Sequence, residues 1–75
     1  RSRYRVRLIH RNVPGVMARV NQIFASSEAN VDAQILATVD EVGYVLTDIS
    51  ADLGREALEE LTHLPETVRL IATPL

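Results

Sequence analysis

The chain has 75 residues, with 8 basic and 10 acidic side chains and a formal net charge of −2, which bounds it to a single domain. Cysteine and lysine are absent and every basic residue is arginine, so a disulfide framework, a Cys-ligated zinc, a thiol nucleophile, a Schiff base and a Walker lysine are excluded. Two histidines far apart in sequence make a poor metal set, the apolar runs are too short for a membrane span or a signal peptide, and mild acidity argues against nucleic acid as the main partner.

Residues 3–10 alternate, with Arg3, Arg5, Arg7 and Ile9 on one face and Tyr4, Val6, Leu8 and His10 on the other. That period predicts a strand with one face buried. Asn12-Val13-Pro14-Gly15 breaks it, and Pro14 suits the first turn of a helix. Val16, Met17, Val20, Ile23, Phe24 and Ser27 then fall at helical spacing, predicting an amphipathic helix of about 14 residues that closes over Ser26 to Asn30. Val31 to Val39 alternates again. Asp40-Glu41-Val42-Gly43 reads as a hairpin loop, and Tyr44 to Ala51 as the returning strand. Asp52 is placed to cap a second helix, with Leu53, Ala57, Leu58, Leu61 and Leu64 as its apolar stripe and Pro65 as its end. Thr67 to Thr73 is a last strand with Val68, Leu70 and Ala72 inward.

The order is βαββαβ. With right-handed crossovers it predicts an α+β, ferredoxin-like fold: a four-stranded antiparallel sheet with both helices on one face. The other face is expected to carry Arg5, Arg7, Asp32, Gln34, Tyr44, Leu46 and Asp48. The first and third strands are neighbours in this topology, so Arg5 or Arg7 is placed to pair with Asp48. A chain this short buries only about 60% of its surface. Without a disulfide or metal to support it, a second subunit is the expected stabiliser. The chain opens at Arg1 and enters a strand at once, which suggests a domain taken from a longer protein.

The strand-to-helix segment His10-Arg11-Asn12-Val13-Pro14-Gly15 is the most informative. Free backbone N–H groups and the positive end of the helix dipole gather there and suit a carboxylate or phosphate. Asn12 and His10 add side-chain donors and acceptors. Asn12 as a simple helix cap is the commoner use of such a residue, and Asn30, at the far end of the helix, reads by itself first as a structural turn residue. His63 and Glu59 are spaced for a solvated i, i+4 pair. Val13-Pro14-Gly15-Val16 followed by Arg19 partly resembles the phosphate loop of acylphosphatases. Pro14 interrupts that pattern, and the second strand has no Asn to orient a water.

The whole chain resembles the ACT domains, small amino-acid-sensing modules of metabolic enzymes. Leu8-Ile9-His10-Arg11-Asn12-Val13-Pro14-Gly15-Val16, Asn21-x-Ile23-Phe24, Asn30-Val31-x-Ala33-Gln34 and Gly43-Tyr44-Val45-x-x-Asp48-Ile49 are similar to the C-terminal regulatory domain of serine-inhibited D-3-phosphoglycerate dehydrogenases. The resemblance implies one regulatory, non-catalytic domain over residues 1–75, the C-terminal part of a longer NAD-dependent cytoplasmic enzyme, with neither cofactor nor metal of its own. It implies a homodimer through the first helix and the edge of the second strand. L-serine is then held by His10 and Asn12 of one subunit and Asn30 of the other, with backbone around Val13, Pro14, Gly15 and Val31. The implied output is feedback inhibition of the catalytic part, with no nucleic acid or membrane as partner. Glu28 departs from the pattern by standing where the family usually has Gly, so a turn requiring positive φ would be strained there.

Overall fold

Alternating segments pair into a sheet because each has one apolar face to cover, and the two helical stripes supply the cover. The computed structural model describes residues 2–75. Its elements are β1 (Tyr4–Arg11), α1 (Val16–Ser26), β2 (Val31–Val39), β3 (Val42–Ile49), α2 (Arg55–Thr62) and β4 (Thr67–Pro74). The strands form one sheet in the order β2-β3-β1-β4, antiparallel throughout. Val6 and Leu8 of β1 and Val45 and Ile49 of β3 meet Val16, Val20, Ile23 and Phe24 of α1 and Ala57 and Leu61 of α2 in a single core.

β1 and β3 carry the faces that their alternation predicts, with Val6 opposite Thr47 and Arg5 opposite Asp48. On the uncovered face Arg5 pairs with Asp48 through Nε to Oδ1 at 2.8 Å and Nη2 to Oδ2 at 3.0 Å. This charge-assisted fork holds the Asp48 carboxyl below the usual carboxylate range. Its contribution is therefore present above the ordinary Asp range and disappears as pH falls through the lowered folded-state value. Asp48→Asn is expected to lower the urea midpoint at pH 7, and the difference from the parent is expected to shrink steadily as pH falls below the ordinary Asp range. A loss that does not shrink as pH falls would show that the pair is not the cause.

Several expectations are corrected. In β2, Val31 faces Ile49 and Ala33 faces Asp48, so Asp32 is an extra residue in a bulge. One inserted residue flips every later side chain to the opposite face. Gln34 therefore lies on the helix side opposite Thr47, while Ala33, Ile35 and Ala37 share the uncovered face with Asp48, Leu46 and Tyr44. A second register shift, beside Ile9 and His10, leaves Val68 63% exposed. Of the three β4 residues expected inward, only Leu70 packs on the core. The hairpin turn is shorter than expected: Asp40 and Glu41 alone connect the strands, and Val42 and Gly43 belong to β3.

Both helices are shorter as well. α1 has 11 residues, because Gly15 at φ 89°, ψ −9° is left-handed and stands outside it. With Pro14 before it, this is the geometry of a type II turn over Val13–Val16. α2 starts at Arg55 after Gly54, at φ 86°. Asp52 caps no helix; its Oδ1 accepts the Gly54 N–H at 3.1 Å. His63 Nδ1 lies 2.8 Å from the Glu59 backbone oxygen, so the expected side-chain pair is replaced by a hydrogen bond to a terminal helix carbonyl, and the Glu59 carboxylate lies 3.7 Å from Arg55.

α1 ends with Ala29 N–H bonded to the Phe24 carbonyl and Glu28 N–H to that of Ala25, a Schellman-type closure. Glu28 has φ 59°, the strain anticipated from the sequence, at a cost of about 1 kcal/mol. Beyond it β2 runs along the edge of the sheet with all nine residues exposed, including Ile35 at 62% and Val39 at 72%. This is an unpaired edge with apolar side chains on both of its faces, the kind of strand that invites another chain.

Candidate functional site

The polar residues singled out from the sequence lie at the two ends of α1. At its start, β1 delivers His10 inward, with only 2% of the residue exposed. The ring lies over Gly43: a Cβ on that glycine would sit 2.3 Å from His10 Cε1 and 2.6 Å from Nε2. His10 Nδ1 is 2.9 Å from the Arg11 carbonyl oxygen. A carbonyl only accepts, so this contact assigns the proton of a neutral ring to Nδ1. Nε2 is then a buried acceptor without a partner among the described residues.

Asn12 does not cap α1. Its Nδ2 donates to the Asp40 carbonyl at 3.3 Å, and its backbone N–H to the Glu41 carbonyl at 2.8 Å. The loop is thereby laid against the β2–β3 turn. No side chain caps the helix, and Val13, Pro14 and Gly15 are exposed, leaving the first-turn N–H groups and the positive dipole end for an anion. Arg19 does not offer an open anion site. Its guanidinium pairs with Glu66 and lies under Gly15, where a Cβ would come within 3.3 Å of Nη1. The Arg19 hydrogen bond holds the Glu66 carboxyl below the usual range, so this pair too loses its stabilising effect as pH falls.

At the other end of α1, Asn30 and Val31 border an open groove of about 580 Å³, lined also by Asn21, Phe24, Ala25, Glu28, Ala29 and Gln34. The Asn30 carbonyl accepts the Ser50 N–H at 3.1 Å, which ties the entry of β2 to the end of β3. Gln34 Nε2 donates to Asn21 Oδ1 and to Thr47 Oγ1, both at 3.0 Å. These two bonds use both amide protons and fix the side chain's orientation. The Gln34 contact was not legible from the sequence, because the Asp32 bulge reverses the strand's parity. Gly43 under His10 is likewise a contact between distant segments with no local signal.

An 11-residue helix is about 16 Å long, so one protomer keeps His10 and Asn12 well apart from Asn30. A small ligand touching all three needs the start of one α1 beside the end of another. Among the described residues no cluster of His, Asp or Glu is placed to hold a metal ion, and no helix is long and apolar enough to cross a membrane.

Comparison with known proteins gives a consistent result. Residues 6–69 match the family model described as an AHAS small subunit-like ACT domain. The chain is 43% identical over 63 residues to a D-3-phosphoglycerate dehydrogenase of Escherichia coli, covering 81% of this chain and 15% of that protein. It is 35% identical over 68 residues to the enzyme of the same name from Dictyostelium discoideum, covering 91% and 16%. It thus spans only about a sixth of those relatives' length. Among solved structures, the ACT domain of a GTP pyrophosphokinase from Chlorobium tepidum superposes with a TM-score of 0.77 at 10% identity, covering 96% of this chain and 97% of that one. A homoserine dehydrogenase from Thiobacillus denitrificans gives 0.77 at 22% identity, covering 99% and 17%. At these identities the two structures speak for the fold alone.

Proposed function

The chain belongs to the ACT-domain family, and on that premise we propose that it is a regulatory domain that binds L-serine between two copies of itself and thereby inhibits the catalytic part of a longer, cytoplasmic, NAD-dependent D-3-phosphoglycerate dehydrogenase. The observation that carries this reading is the division of the polar residues between the two ends of α1, next to an edge strand left exposed along its whole length. An antiparallel pairing of two α1 helices beside their β2 edges brings His10, Asn12 and the Val13–Gly15 backbone of one protomer to Asn30 and Val31 of the other. The ligand's carboxylate then meets the positive start of one helix, and its remaining donors and acceptors meet Asn12, Asn30 and His10. Two such ligands stiffen one interface. Inhibition follows if serine binds that arrangement better than the alternative one.

Calorimetry on the protein with L-serine, glycine, alanine and threonine tests this. Serine is expected to bind, and Asn12→Ala and Asn30→Ala each to weaken it tenfold or more, the loss expected for a hydrogen bond to a charged group, about 1.5–3 kcal/mol. Binding of another amino acid in place of serine would support a second reading, a sensor serving a different enzyme. That reading is favoured by the family model's description, which names the AHAS small subunit rather than a dehydrogenase.

A further inference from the structure

Glu28 combines two unusual properties. It holds the left-handed position after α1, at φ 59°, where glycine or asparagine is the unstrained choice. It also lines the groove beside Asn30, and its carboxylate enters no salt bridge or hydrogen bond among the described residues. Backbone strain kept at a groove is a reason to look for a use of the side chain. The groove's lining contains no other charged residue: Asn21, Asn30 and Gln34 are neutral and the rest are apolar. The last carbonyls of α1 point the same way electrostatically, since a helix C-terminus favours a cation. The carboxylate and the helix end thus make one negative locus in a groove that no cation among the described residues lines.

We infer that Glu28 is the counter-charge for the ligand's ammonium group and orients the ligand along the interface. The inference rests on the amino-acid-binding reading above. The carboxylate of a zwitterion lies at the start of one protomer's α1. Its ammonium points to Glu28 and Asn30 of the partner, where Asn30 offers a carbonyl acceptor and Glu28 a full charge. The residue therefore sharpens specificity beyond what the other ligand contacts give: it favours α-amino acids over hydroxy acids of the same shape.

The test is calorimetry with L-serine and with glycerate, which carries a hydroxyl in place of the ammonium, on the parent, Glu28→Gln and Glu28→Gly proteins. The parent is expected to prefer serine strongly. Glu28→Gln is expected to weaken serine about tenfold and leave glycerate unchanged, so that the preference narrows by the same factor. Glu28→Gly is expected to show the same narrowed preference while its thermal midpoint rises, because the left-handed strain is relieved. Affinity and stability moving in opposite directions is a result that a purely structural role does not produce. Unchanged serine binding in Glu28→Gln, or equal losses for serine and glycerate, overturns the role of Glu28 alone. No binding of any amino acid by the parent protein overturns the amino-acid-binding reading and this inference together.

Discussion

Phe24→Ala is expected to lower the stability of the chain by about 3–5 kcal/mol, enough to leave most molecules unfolded at room temperature. Phe24 is the only phenylalanine and is 2% exposed, one of the largest side chains enclosed by the core. Truncation removes its transfer free energy and leaves a cavity that a sheet on one side and two short helices on the other cannot collapse to fill. A single core of this size supplies little reserve: domains below about 70–80 residues rarely reach more than 3–5 kcal/mol without a further support. Phe24 is also among the residues that line the Asn30 groove, so a ligand seated there should partly restore the variant's thermal midpoint by mass action. Urea unfolding measures the loss, with Phe24→Leu as the milder comparison. A loss below about 1 kcal/mol for the alanine variant would mean that the core relaxes around the site and is looser than its burial indicates.

Gly43→Ala is expected to cost about 1–3 kcal/mol through overpacking and, in addition, to abolish ligand binding at the start of α1. The new Cβ would lie 2.3 Å from Cε1, 2.6 Å from Nε2 and 3.0 Å from Nδ1 of His10, and the ring is held against moving aside. It is buried, tied through Nδ1 to the Arg11 carbonyl, and carried by the β1 residue directly opposite Gly43 in the sheet. Either the ring leaves its place or the two strands separate there. A double-mutant cycle distinguishes this clash from a general weakening of β3. In a His10→Ala background Gly43→Ala should cost almost nothing, because the atoms it meets are gone. The same penalty in both backgrounds would refute the clash.

Legibility in the sequence followed locality. Alternation in Tyr4–His10 and Tyr44–Ile49 reports faces truly, because those central strands have one covered and one open side; topology alone offered Arg5 or Arg7 as the partner of Asp48, and the register selects Arg5. Alternation misled in β2, where the pattern of Val31, Ala33, Ile35 and Ala37 is regular but the Asp32 bulge reverses it. An edge strand exposed on both faces applies no burial penalty that would have revealed the error. Pro14-Gly15 announced a turn at the candidate site, and the left-handed Gly15 explains why the helix begins at Val16, where the apolar spacing starts, and not with Pro14 in its first turn. Asn12 read as a cap because capping is a local habit. In the fold it is drawn instead to Asp40, some 28 residues away, a contact that no window of sequence contains. The Gly43 contact under His10 and the Arg19–Glu66 pair are hidden for the same reason.

The shared site is tested most directly by mixing two inactive variants. Asn12→Ala and Asn30→Ala chains, each expected to bind L-serine poorly alone, are unfolded and refolded together in equal amounts and examined by calorimetry. In a mixed pair, one of the two interfacial sites takes Asn12 from the Asn30→Ala chain and Asn30 from the Asn12→Ala chain, and is intact, while the other site carries both substitutions. Serine binding near parental affinity should therefore return in the mixture, at one site per mixed pair. Failure of the mixture to bind any better than the separate variants would contradict a ligand site divided between two copies of this chain.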